Sequence, residues 1–370
     1  MAQHRSNSRT RLVAVIVAVA VVASAAVIAG HRLGNGRVST TLAVGTVPTV
    51  LLPPSTTTTL PPPTTTATTV APTTSAAPRP KATAAPRPKP RPTGRLVRAA
   101  PILAGSIDAF RGMGAWVDVF DWSNEFTKNK PVVGVAAIDR MADLGVQTLY
   151  IQTAKQESAN DVVDPGLLQP LIERAHQRNM AVVAWYLPTL EDPARDLTRL
   201  VASARLKVEG VGVDIESRKV SDHAERSRRL VELSAAAREQ LPGRQIAAVI
   251  MPPVVTDVIN PAFWPGFPWQ QLKPLYDLWM PMDYWTFRKA DSGYRDAYRY
   301  TAENIDLTRR NLGNPNAVVH AVGGIGDTTT PEDIDGYYRA SAERGGIGGG
   351  LYDYRTTGDN LYPGLQRFRV

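Results

Sequence analysis

Eight apolar runs of strand length recur from about residue 104 onward. They read GAWVDVF (114–120), VQTLYIQT (146–153), MAVVAWYL (180–187), VEGVGVDIE (208–216), QIAAVIM (245–251), DLWMPMDYW (277–285), AVVHAVGG (317–324) and IGGGLYDY (347–354). None shows strict polar–apolar alternation, the pattern of a strand with one wet face. Continuous apolar runs are what a parallel sheet covered by helices requires. Amphipathic segments of helix length separate them, with readable ends. AAIDRMADLG closes on Gly145, a C-terminal cap position. Asp164-Pro165, Asp192-Pro193 and Thr330-Pro331 each place proline just inside a helix start, and Asp222 precedes a fourth start. YRDAYRYTAENIDLTRRNLG ends on Gly313, and the connection around PWQQLKPLYD is the least regular. Eight strand–helix repeats over 104–370 predict an α/β fold, a (β/α)8 TIM barrel. A doubly wound open sheet is the weaker alternative, because no G-x-G-x-x-G follows the first run.

The pattern is different before residue 104. Leu12 to Gly30 is an uncharged apolar stretch, close to the roughly 20 residues needed to cross hydrocarbon. Arg5, Arg9 and Arg11 precede it, which predicts a cytoplasmic N-terminus over 1–11 and an exported remainder. The expected location is the cell membrane, single-pass, with the C-terminal domain extracellular. Ala23-Ser24-Ala25 has the form of a cleavage site, so a secreted product is the other reading of the same segment. Residues 31–103 are rich in Thr and Pro, then in Pro, Lys and Arg, and cannot bury enough apolar surface to fold. They predict a disordered, extended stalk.

Charge follows the same division. Residues 1–98 carry 12 Lys and Arg and no acid, which leaves 30 basic against 34 acidic residues in 99–370. The basic balance of the chain therefore belongs to the tail, and the folded part has no basic excess with which to bind nucleic acid. The chain has no cysteine, so a thiolate nucleophile, a Cys–zinc site and a disulfide framework are excluded. Of five histidines only His176, His223 and His320 lie in the folded part, too few for a His-rich metal centre. A carboxylate-held Mg²⁺ or Ca²⁺ stays open. No motif calls for a cofactor.

Barrel chemistry sits at the C-terminal ends of the strands. Those ends carry Asp118 and Asp121 on the first run, Gln152, Lys155 and Glu157 on the second, and Trp185, Tyr186 and Glu191 on the third. Asp214 and Glu216 follow on the fourth, Met282, Asp283, Tyr284 and Trp285 on the sixth, and Tyr352, Asp353 and Tyr354 on the eighth. Asp214 and Glu216 are two apart, which points both carboxylates to one face of a strand. Carboxylates with aromatic rings fit a glycosidic substrate: the rings stack on sugar faces and the acids do proton transfer. GGIGD (323–327) occupies the place of a barrel phosphate loop, but it contains no Lys or Arg.

The fourth strand resembles a known frame. Family 18 glycoside hydrolases, the chitinase-like barrels, carry D-G-x-D-x-D-x-E there, and Glu209-Gly210-Val211-Gly212-Val213-Asp214-Ile215-Glu216 keeps its final D-x-E. Glu209 stands for the first Asp and Gly212 for the middle one. On the sixth strand the family has M-x-Y-D; Met280-Pro281-Met282-Asp283 keeps Met and Asp, with Tyr284 just after. The resemblance implies Glu216 as general acid, Asp214 as the residue orienting the substrate N-acetyl group, and Asp283 bonding near the same group. Asp118, Gln152, Tyr186, Met282, Tyr284, Trp285, Tyr352 and Asp353 are the expected substrate-binding wall. Asp118 and the D-x-E are also similar to family 25 lysozyme-like barrels, which cleave peptidoglycan. The expectation is an exported, membrane-tethered glycosidase acting on an N-acetylhexosamine polysaccharide, peptidoglycan or chitin-like. Gly212 and Met282 keep open a barrel that binds envelope glycan without cutting it, and the glycine loop a phosphorylated-ligand enzyme.

Overall fold

The computed structural model describes residues 106–127 and 130–370. Its strands are β1 (Gly112–Val117), β2 (Thr148–Gln152), β3 (Ala181–Tyr186), β4 (Gly210–Ile215), β5 (Gln245–Ile250), β6 (Leu278–Pro281), β7 (Ala321–Ile325) and β8 (Gly348–Tyr352). All pair in parallel, in the order β6-β5-β4-β3-β2-β1-β8-β7. Bridges Trp279–Val319 and Met282–Val322 bring the seventh segment against β6, so the sheet nearly closes on itself. The open doubly wound alternative is thereby excluded.

Besides a single helical turn at Val119–Trp122, the helices are α1 (Val135–Asp143), α2 (Pro165–Gln177), α3 (Pro193–Ala204), α4 (His223–Gln240), α5 (Trp269–Leu272), α6 (Ala297–Leu312), α7 (Pro331–Glu343) and α8 (Tyr362–Leu365). Their ends are set where the sequence places caps. The Asp192 and Asp222 carboxylates accept from the Arg195 and Glu225 amides. Thr330 and Asp333 form a reciprocal capping box, worth about 1 kcal/mol to the start of α7. Gly145 and Gly313 take positive φ just past α1 and α6, the backbone that only glycine adopts without cost. The irregular fifth connection is a π-helical turn at Val254–Ile259 followed by the single turn of α5.

Alternation within each strand divides the apolar residues between two cores. Val211, Val213 and Ile215 of β4 face the helix layer with Leu230 and Leu233 of α4. Trp116, Tyr150, Val183, Trp185, Val249 and Met280 fill the barrel interior. Trp116 stacks on Tyr150 at 4.4 Å between centroids and leans on Trp185 at 6.0 Å. Each such ring removes a large apolar area from water, at about 25 cal/mol per Å². At the floor, the turn Ile107–Phe110 plugs the interior. Thr148 Oγ1 donates to the Ala109 carbonyl at 2.8 Å, and neutral His320 holds the Phe110 carbonyl through Nδ1 at 2.8 Å.

The glycines of GGIGGG (345–350) end one helix and enter the last strand. Gly345 ends α7 with φ +60, and Gly348 to Gly350 are the first three residues of β8. A Cβ on Gly350 would lie 2.2 Å from the Gly114 carbonyl oxygen, so the β1–β8 seam leaves no room for a side chain. The basic N-terminus, the apolar span 12–30 and the stalk 31–103 lie outside the described residues. Among those described, no helix is long and apolar enough to cross a membrane.

Candidate functional site

The mouth of the barrel is lined by what the inward phase of each strand delivers. On β4 the inward positions are Gly210, Gly212, Asp214 and then Glu216, because Val211, Val213 and Ile215 are outward. Asp214 is buried, Glu216 half-buried at the opening. Burial, then the charge of Glu216, pushes the Asp214 carboxyl well above the usual carboxylate range. Burial pushes Glu216 up to about 7. No Lys, Arg or His among the described residues is an electrostatic partner of either acid. Two acids in one low-dielectric pocket cannot both ionise near neutrality, so the pair retains a proton.

Gly212, where the family 18 frame has its middle acid, is level with Trp185 on β3. A Cβ there would lie 3.3 Å from the Trp185 Cβ and 3.4 Å from Val249 Cγ2. The indole of Trp185 and its neighbours take the interior beside this position. Glu209, matched to the first acid of the frame, sits at the opposite end of the strand. Its Oε2 accepts from the Val182 amide at 2.8 Å and lies 3.2 Å from His176 Nε2, a structural clasp.

On the sixth strand Leu278, Met280 and Met282 point inward with Tyr284 next in phase, and Trp279 points out. Asp283 is therefore on the outward phase. It is fully buried behind the wall, facing Thr301 and Asn304 of α6, and burial drives its carboxyl well above the usual range. Met282 lies in the interior core. Trp285 is also outward, packed on Tyr337 of α7 at 5.2 Å, and does not reach the mouth. Tyr186, one residue past inward Trp185, does not reach it either. Its hydroxyl donates to Asp196 Oδ1 at 2.5 Å under α3, while Asp196 Oδ2 accepts from the Leu190 amide at 2.8 Å. The structure thus moves Tyr186 and Trp285 from the expected wall into the outer core.

Tyr284 does line the mouth, 6.0 Å from Tyr352 across the rim. Burial raises its phenol, and the negative charges of Glu216, Asp214 and Asp353 add to that. Tyr352 donates to Asp118 Oδ2 at 2.9 Å. Gln152 is inward but its Oε1 is occupied by the Val119 amide at 3.1 Å, so it anchors the loop after β1. Lys155 reaches over the rings of Phe120 and Phe126, at 5.1 and 5.8 Å.

A second acidic group faces the β4 pair's strand from the β1–β8 side. One carboxylate oxygen from each of Asp118, Asp121 and Asp353 lies within 4.8 Å of the other two. Burial raises all three, with Asp121 at about 8 and Asp353 at about 6, and the neighbouring carboxylates add repulsion at Asp121 and Asp353. Arg355 donates to Asp121 Oδ1 at 2.7 Å. Asp121, at a strand end in the sequence, and Arg355 both lie outside the expected wall. The signal was the Arg directly after YDY. The GGIGD loop forms no cradle: Gly323 and Gly324 belong to β7, and a Cβ on Gly326 would lie 2.7 Å from the Thr357 backbone nitrogen.

No protein-family model matches the chain, and no curated protein matches it in sequence. Solved structures match the fold. The spore cortex-lytic enzyme SleL of Bacillus cereus superposes with TM-score 0.52 at 10% identity, covering 70% of this chain and 74% of its own. The C-terminal domain of a putative chitinase from Desulfitobacterium hafniense DCB-2 gives 0.51 at 11%, covering 70% and 99%. A family GH18 chitinase from Cycas revoluta gives 0.50 at 11%, covering 70% and 99%. At these identities the likeness establishes the TIM-barrel fold.

Proposed function

We propose that this chain is a glycoside hydrolase acting on an N-acetylhexosamine-containing polysaccharide of a cell envelope. The observation that carries the reading is Glu216: half-buried at the mouth, without a cationic partner among the described residues, and titrating at about 7. A carboxyl that keeps its proton near neutral pH is what protonating a glycosidic oxygen requires. In this reading Glu216 Oε gives its proton to the leaving oxygen as the C–O bond breaks, while the acetamide oxygen of the same sugar bonds to the anomeric carbon; water, giving its proton back to Glu216, then displaces that oxygen to release the free sugar. Asp214, directly below it on the same face, orients the acetamide of the sugar whose bond is cut. Tyr284 and Tyr352 supply the rings along the rim. The structural neighbours named as a chitinase and as a cortex-lytic enzyme support the substrate class by analogy of fold. Asp283 takes no part, because its carboxyl is behind the wall. The apolar span 12–30 and the stalk would tether the barrel outside the membrane.

The test is hydrolysis of peptidoglycan and of chitin oligomers by the full chain and by Glu216→Gln. Loss of product with an unchanged thermal midpoint supports the reading; equal product from both proteins overturns it. The filled space at Gly212 favours a second reading, a barrel that binds glycan without cutting it. That reading predicts wild-type binding with no released product, and any wild-type turnover abolished by Glu216→Gln eliminates it.

A further inference from the structure

We infer that Asp118, Asp121 and Asp353 form a binding site for a hard divalent cation at the β1–β8 seam. Asp118 caps the helical turn Val119–Trp122 after β1, Asp121 lies within that turn, and Asp353 follows β8. All three are at most 5% exposed, and one oxygen of each lies within 4.8 Å of the others. That separation places three carboxylates around a common point, as first ligands to one ion. The pattern of hydrogen bonds is the second observation. Asp121 gives Oδ1 to Arg355 at 2.7 Å, and its Oδ2 is buried with no hydrogen-bond partner. Asp353 gives Oδ1 to the Thr356 amide at 2.9 Å, and its Oδ2 is likewise buried and unpartnered. Each side chain is thus held through one oxygen and keeps the other bare. Carboxylates oriented from behind in this way are the usual support of a metal centre. Asp118 is held from both sides, by the Phe120 amide at 2.8 Å and the Tyr352 hydroxyl at 2.9 Å. Each carboxylate oxygen has a further lone pair for a ligand bond.

Leaving two buried oxygens bare costs free energy that a cation would recover. Among the described residues Arg355 sets one positive charge against the three carboxylates, and Lys155 is a smaller contributor to Asp118. The donor set is all oxygen, with no imidazole or thiolate, which selects Ca²⁺, Mg²⁺ or Mn²⁺ over zinc or copper. Through the Tyr352–Asp118 bond the ion would also stiffen one wall of the mouth. The inference does not depend on the proposed hydrolysis.

The experiment is calorimetric titration of the full chain, freed of metal with EDTA and then of EDTA, with Ca²⁺, Mg²⁺ and Mn²⁺ in turn. The expected result is saturable binding of one ion per chain for at least one of them. It should weaken at least tenfold in Asp121→Asn and in Asp353→Asn, and stay unchanged in Glu216→Gln. Should an Asn variant fail to fold, the wild-type thermal midpoint with and without the ion is the readout, and a rise of about 2 °C or more is expected. Absence of saturable binding of all three ions at millimolar concentration overturns the inference. So does binding of undiminished strength in both folded Asn variants.

Discussion

Two groups of buried acids share the mouth of this barrel, and they solve the same electrostatic problem differently. Asp214 and Glu216 on β4 have no cationic partner among the described residues and meet burial by holding protons. Asp118, Asp121 and Asp353 on the β1–β8 side are raised by burial as well, but are in addition tied by Tyr352, Arg355 and backbone amides. The first arrangement suits proton donation, because nothing competes for the acid's hydrogen. The second suits fixation, because every side chain is anchored from behind. Carboxylates at one barrel mouth thus acquire different chemistry from their neighbours.

The largest effect should come from the group without a counter-charge. Glu216→Gln is expected to lower turnover by about 10³-fold, within the range for loss of a general acid, with little change in thermal midpoint. Activity assays beside calorimetry check it. On the other side, Arg355→Met leaves a buried Asp121 without its ion-pair partner. The expected loss is about 2 kcal/mol, less than for a fully enclosed pair because Arg355 is partly exposed, and is read from denaturant unfolding.

The two groups also make a joint prediction about pH. Folded values of about 6, 7 and 8 for Asp353, Glu216 and Asp121 stand above the unfolded values of 3.8, 4.5 and 3.8. A raised folded value means that the native state holds protons the unfolded chain has already released. The stabilisation is full below about pH 4 and is lost as pH rises through 8. In EDTA the midpoint should fall over that window, and a midpoint that climbs instead would contradict the assigned environments. Asp214→Asn replaces a carboxyl that is still protonated when Glu216 titrates, so the alkaline limb of the activity profile should stay in place; a shift of about a unit or more would show charge on Asp214.

The smallest effect is expected behind the wall. Asp283→Asn should change turnover less than about threefold and stability by less than about 1 kcal/mol, since a carboxyl that is already neutral there is replaced by an isostere. A drop comparable to that of Glu216→Gln would return Asp283 to the reaction.

The fold was legible because apolar runs and helix caps are local signals. Eight of the first and most of the second were visible without any contact being known. The pair on β4 was legible for the same reason, since a spacing of two keeps two side chains on one face. What misled was phase. Tyr186 and Trp285 are at strand ends, as read, but each is one residue out of step with its inward neighbours, Trp185 and Tyr284. Asp283 fell into the same trap. One position along a strand exchanges the mouth for the outer core, and composition near a strand end does not reveal which. The β1–β8 acids needed tertiary information of another kind. Asp121 and Asp353 are far apart in sequence, and only closure of the barrel seam makes them neighbours.

The floor of the barrel carries a practical consequence. The plug Ile107–Phe110 enters the interior from the face opposite the acids. The last residue, Val370, exchanges hydrogen bonds with Gln147 just before β2, at that same face. Both ends of the folded chain therefore leave through one side. A tag or fluorophore joined directly before Ser106 or after Val370 would sit at the floor, away from the rim, and a bead coupled at either position would present the open side to an insoluble polymer.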